Sequence, residues 1–116
     1  MPHTHREENG IVIFELEGKI MGTQHDNYLI LDKVYEFITQ NKFKIVMDFK
    51  NVDWMNSRGI GICVTTVTAM RNRGGEMVMA CLNERTESLL KKMKMFKIFK
   101  AYATVEEAIK VLQSMP

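Results

Sequence analysis

The residues best suited to chemistry lie in one run, Val52-Asp53-Trp54-Met55-Asn56-Ser57-Arg58-Gly59-Ile60-Gly61, which connects an apolar strand-like stretch to a helical stripe. The unpaired N–H groups and the dipole at a helix start favour negative charge. A phosphate on the Ser57 hydroxyl brings about −1.5 to −2 charge and three acceptor oxygens, and a helix N-terminus tolerates it without unfolding. An interface built on the unmodified hydroxyl would instead meet a desolvated dianion, and a buried unpaired charge costs about 3–5 kcal/mol. Since roughly 1.4 kcal/mol is tenfold in affinity, one phosphate suffices as a switch. The plainer role of a Ser or Asn before an apolar helical stripe is to cap it, and spacing by itself favours that role.

The other candidates point away from catalysis. Gly59 and Gly61 stand between a strand and a helix, but Gly-Ile-Gly lacks the rest of any phosphate-loop fingerprint. Close helix–sheet packing is the expected use of both. Cys63 shares an inward spacing with Ile60 and Val67, and Cys81 also lies in an apolar stretch, so both are expected in the core. His3 and His5 lack a third ligand at a familiar zinc spacing and are expected in a mobile terminus or an edge strand. His25 and Asp26 open a helix, where an acid suits the dipole. Met21 and Met55 are expected in turns, as surface contacts, while Met70, Met77, Met79 and Met93 match core stripes. Lys91, Lys92, Lys94, Lys97 and Lys100 read as a solvated face near a helix C-terminus. No convergent catalytic set emerges, so no enzyme activity, cofactor or metal is expected.

Composition bounds the rest. With 116 residues, 46% of them hydrophobic, the chain is expected to form a single domain over residues 1–116. Sixteen Lys and Arg against fourteen Asp and Glu leave +2, too little for a general nucleic-acid binder. No apolar run approaches the roughly 20 residues that span a bilayer, and the N-terminus has no apolar signal segment. No membrane partner is expected, and a reducing cytoplasm suits the two unpaired cysteines.

The elements that position Ser57 follow from periodicity. Asn9-Gly10 is the strongest hairpin dipeptide, so an edge strand near Thr4–Glu7 is expected to pair with Ile11–Leu16. From Asp26, the residues Ile30, Leu31, Val34, Phe37 and Ile38 recur at helical spacing to about Asn41. Lys44–Phe49 reads as a central strand covered on both faces. A second stripe, Ile60, Cys63, Val64, Val67 and Met70, stops at Arg73-Gly74-Gly75. Met77–Leu82 reads as a buried strand, Asn83 as the cap of a third helix carrying Leu89, Leu90 and Met93, and Ile98–Phe99 as a short strand. Thr104-Val105-Glu106-Glu107 is a capping box before the stripe Val105, Ala108, Ile109 and Leu112. The alternation predicts an α/β fold: a mixed sheet of four or five strands, parallel in its centre, flanked by about four helices.

This order of elements, the Val-x-x-Met-Asn-Ser-x-Gly-hydrophobic-Gly turn and the Gly74-Gly75 break resemble the STAS domain family, of anti-sigma factor antagonists and the cytoplasmic domains of sulfate transporters, over about Gly10 to Leu112. The resemblance implies an antagonist that binds an anti-sigma factor with serine kinase activity and so releases a sigma factor. It further implies phosphorylation of Ser57 by that partner and its removal by a serine phosphatase. The implied partner face combines the loop Met21, Gly22, Thr23 and Gln24 with Asn56, Ser57 and Arg58 and with Thr65 and Thr68 on the second helix. Family members commonly carry Asp where Asn56 stands and a small residue where Arg58 stands, and many carry Asp where Met21 follows Gly18-Lys19-Ile20. The alternative is a phosphorylation-independent STAS interaction or scaffold module. A small-ligand or nucleotide site, the third class, would need Gly59, Gly61 and the lysine cluster to converge.

Overall fold

A two-residue turn opens the chain: Asn9 and Gly10 take φ of 54° and 79°, the positive pair a type I′ hairpin requires. It joins β1 (His3–Glu8) to β2 (Ile11–Ile20), antiparallel, with Glu8 opposite Ile11. The computed structural model describes residues 3–116. α1 (Gln24–Thr39), β3 (Lys44–Met55), α2 (Ser57–Arg71), β4 (Glu76–Ala80), α3 (Glu84–Lys92), a 3-10 turn (Met95–Lys97), β5 (Ala101–Tyr102) and α4 (Val105–Gln113) follow. The strands form one sheet in the order β1-β2-β3-β4-β5, parallel from β2 onward. The expected mixed sheet with four helices is the fold observed.

Strand β3 lies at the centre, and its alternation divides the core. Ile45, Met47 and Phe49 face the side packed by Ile30, Val34 and Phe37 of α1, Ile60, Cys63 and Val67 of α2, and Leu90 of α3. Val46 faces Ala108, Ile109 and Leu112 of α4, together with Ile11, Ile13, Val78 and Ala80. Covering both faces explains why these strands read as continuous apolar runs.

The structure corrects several local expectations. Val52–Met55 belongs to β3 rather than to a turn, because β2 and β3 stay paired as far as Ile20 and Met55, across two register shifts. Met55 is therefore fully buried and is no surface contact. Helix α1 starts at Gln24 under a Thr23 cap, two residues before Asp26. Ile98–Phe99 forms no strand: the Ile98 and Phe99 amides both donate to the Met95 carbonyl at 2.9 Å, closing a helical turn that buries Phe99, and the strand comes after it at Ala101–Tyr102. Cys81 is half-buried, at the end of β4 with φ of 62°.

Candidate partner-binding and modification site

Parallel strands β2 and β3 end side by side at Ile20 and Met55, so the turns leaving them are neighbours by construction. The carboxyl end of a parallel sheet is where α/β folds place their sites. The Asn56 amide donates to the Ile20 carbonyl at 3.3 Å and closes the seam. Gly22, with φ of 74°, lies against the Arg58 backbone, and a methyl group there would come within 2.7 Å of the Arg58 carbonyl carbon. Gly59 is closed off in the same way: a methyl on it would strike the Ile20 carbonyl oxygen and come within 2.9 Å of Met55 Cγ. The structure thus brings Met21, Gly22, Thr23 and Gln24 together with Asn56, Ser57 and Arg58.

Helix α2 starts at Ser57, and its cap is Asn56. The Asn56 Oδ1 accepts from the Gly59 amide at 2.8 Å, and the Ile60 amide donates to the Asn56 carbonyl at 3.0 Å. Capping is therefore done without Ser57, which stands exposed on the first helical residue. Among the described residues no hydrogen bond engages its hydroxyl. Arg58 is exposed beside it. Behind this turn Cys63 is sealed, its sulfur 3.9 Å from Met55 Sδ, and burial pushes its thiol up to about 12.

The outer face of α2 continues the surface. Ser57, Arg58, Gly61, Thr65 and Thr68 are all exposed, and the Thr65 hydroxyl turns inward onto the Gly61 carbonyl at 3.1 Å. Gly61 has open space where a side chain would be. The packing expectation holds for Gly59 and fails for Gly61, because one turn position points at β2 and the other at solvent.

Two residues expected only to open or cap helices, Asp26 and Asn83, also position the site. Asp26 is buried, and its Oδ2 accepts from the Met21 amide at 2.8 Å while its own amide donates to Thr23 Oγ1 at 3.1 Å. The carboxylate thus holds the first loop against its helix, an arrangement signalled by the Thr-x-x-acid spacing of a capping box. Asn83 caps α3 through the Thr86 amide, and its Nδ2 donates to the Val52 and Asp53 carbonyls, each at 3.1 Å. That ties the end of β3 to α3, where Arg85 also lies over the Trp54 ring at 5.1 Å.

The remaining candidates do not converge here. His3 and His5 set their rings edge-on to Phe14 and Phe37, with centroids 5.5 and 5.2 Å apart. Burial first, then nearby Lys33, lowers the His3 pKa. Among the described residues no three His, Cys, Asp or Glu side chains are grouped to hold a metal, and no helix is long and apolar enough to cross a membrane. The lysine cluster runs from the last turn of α3 to the residue before β5, and Lys100 pairs with Glu76 at the start of β4, at the opposite end of the sheet from Gly59 and Gly61.

Comparison with known proteins places this geometry. The STAS domain family matches residues 4–108. The anti-sigma F factor antagonist of Paenibacillus polymyxa is 27% identical over 105 residues, covering 90% of this chain and 88% of that one. A crystal structure of a Thermotoga maritima protein superposes with a TM-score of 0.86 at 20% identity, covering 96% and 94% of the two chains. The Bacillus anti-sigma factor antagonist SpoIIAA superposes in its unphosphorylated form with a TM-score of 0.74 at 20% identity, covering 98% and 100%. Its phosphorylated form gives 0.70 at 19% identity, covering 95% and 98%.

Proposed function

We propose that this chain, which belongs to the STAS domain family, acts as an anti-sigma factor antagonist whose binding is gated by phosphorylation of Ser57. The general role is supported by the named relatives, among them one solved in both an unphosphorylated and a phosphorylated form. The partner is an anti-sigma factor that is also a serine kinase, a phosphatase resets the cycle, and the antagonist performs no chemistry of its own. Its binding face is the paired loops Met21–Gln24 and Asn56–Arg58, continued along α2 by Thr65 and Thr68.

The observation that carries this reading is the division of labour at the start of α2. Asn56 does the capping, which leaves the Ser57 hydroxyl exposed and uncommitted at the positive end of the helix dipole. A phosphate there meets exposed N–H groups and the Arg58 guanidinium while the buried contacts of α2 stay as they are. The competing reading is a constitutive STAS module; Asn56 rather than Ser57 is the cap, and binding that ignores phosphate would favour that reading. The deciding experiment incubates the chain with its cognate anti-sigma factor and ATP and maps the added mass. One phosphate on Ser57 is expected, and an unmodified chain returns the role to the constitutive module.

A further inference from the structure

The ten residues from Lys91 to Lys100 hold five lysines and no acid, while the rest of the chain holds eleven basic and fourteen acidic residues. A near-neutral total therefore hides a polarised molecule. Lys91, Lys92, Lys94 and Lys97 are exposed, and none is within ion-pair reach of a carboxylate among the described residues. Lys100 alone reaches one, Glu76 at 3.3 Å. In the middle of the run stands Phe96, 39% exposed and one of three large hydrophobic side chains so presented.

This segment is held, not loose. Phe99 is buried in the core, the 3-10 turn is closed on the Met95 carbonyl, and Met93, Met95 and Ile98 pack partly against the same core. Lysines and phenylalanine are thus displayed on a fixed turn. Helix α3 leaves the carboxyl end of β4 and runs back, and Lys100 directly precedes β5. The lysines accordingly lie toward the amino end of the sheet, while the Phe96 ring borders Leu82, Glu87, Tyr102 and Ala103 at the outer edge beside β5.

We infer that this turn is a peripheral docking surface for an anionic lipid bilayer, with the lysines among the headgroups and Phe96 at the acyl boundary. Four to eight clustered basic residues beside an apolar side chain suit such a surface. Lysine stems reach headgroups at varied heights while burying their methylenes. The run contains no arginine, the side chain that best recognises nucleic-acid phosphate in a bidentate manner, which separates this surface from a polynucleotide site. A spanning helix is not needed for this mode of attachment.

The test is co-sedimentation of the full chain with phosphatidylglycerol–phosphatidylcholine vesicles and with pure phosphatidylcholine vesicles, at about 0.1 M salt, where charge is screened beyond roughly 10 Å. Binding to the anionic vesicles alone is expected. Replacing Lys91, Lys92, Lys94 and Lys97 by Gln lowers partitioning by about fivefold per lysine, the equivalent of about 1 kcal/mol each. Phe96→Ser lowers it by about tenfold or more, whereas Ser57→Asp leaves it unchanged. Because the four replaced lysines are solvent-exposed, unfolding midpoints are expected to agree with wild type. Equal binding to both vesicle types, binding to neither, indifference to both sets of substitutions, or tighter binding to a polynucleotide would each overturn the inference.

Discussion

Gly22 is packed against Arg58: a methyl group on Gly22 would collide with the Arg58 Cβ and backbone, so no side chain fits between the loop after β2 and the first turn of α2. Two segments 36 positions apart in the chain thereby become one surface, and the residue next to the Ser57 hydroxyl is packed against a glycine of another loop. The backbone at Gly22 also has φ of 74°, which other residues adopt at a cost.

Gly22→Ala therefore meets strain and collision together, and Gly59→Ala meets the Ile20 carbonyl. Each is expected to destabilise by about 1–3 kcal/mol, the range for overpacking a well-packed site. Denaturant unfolding measures both. Gly22→Ala is further expected to weaken partner binding, because it moves Arg58.

Gly61→Ala has the opposite sign. This glycine sits in mid-helix with open space around it, so the substitution gains roughly 0.5–1 kcal/mol from helix propensity and a less disordered unfolded chain. If the bare face of α2 contacts the partner, the same variant unfolds at higher denaturant but binds less tightly.

Asn56→Ala removes the acceptor of the Gly59 amide and is expected to cost about 1 kcal/mol, as other lost caps do. Ser57→Ala is expected to stay within about 0.5 kcal/mol of wild type, as an exposed substitution away from any cap. Equal losses at both positions would mean that the serine shares the capping.

The architecture and the turn that carries Ser57 were legible in the sequence, and for physical reasons the way that turn is held was less so. Alternation of strands and helices, the Asn9-Gly10 hairpin and the caps at Asn83 and Thr104 are local signals, and all of them stand in the structure. Which of Asn56 and Ser57 caps α2 depends on where β3 stops, and that is set by its pairing with β2 rather than by local sequence. The contact of Gly22 with Arg58 is a product of that same registration, whereas the bond from the Met21 amide to Asp26 is local. Phe99 misled in the other direction: two adjacent apolar residues suit a strand, but one of them anchors a tight turn.

Acid stability turns on Glu76. Burial alone would raise its carboxyl, but hydrogen bonds from Arg71 at 2.8 Å, the Met77 amide and Lys100 outweigh this and hold it below the ordinary value of 4.5. A carboxylate lowered on folding adds stability above its unfolded pKa, and that stability is lost as pH falls through the folded value. Denaturant titrations at decreasing pH are expected to show a loss setting in below about pH 4.5, smaller in Glu76→Gln.

Thiol labelling reports the core behind the turn. With Cys63 fully buried and its thiol pushed up to about 12, alkylation at neutral pH is expected to reach it only through unfolding. Its rate should follow the unfolding equilibrium in denaturant, while the half-buried Cys81 reacts earlier.

The most direct measurement is the affinity of wild type, Ser57→Ala and Ser57→Asp for the cognate anti-sigma factor, titrated side by side with their unfolding midpoints. Similar tight binding by wild type and Ser57→Ala, at least about a tenfold loss in Ser57→Asp, and midpoints within a few degrees of one another are expected. Equal affinity for all three proteins would contradict the phosphorylation switch at this hydroxyl.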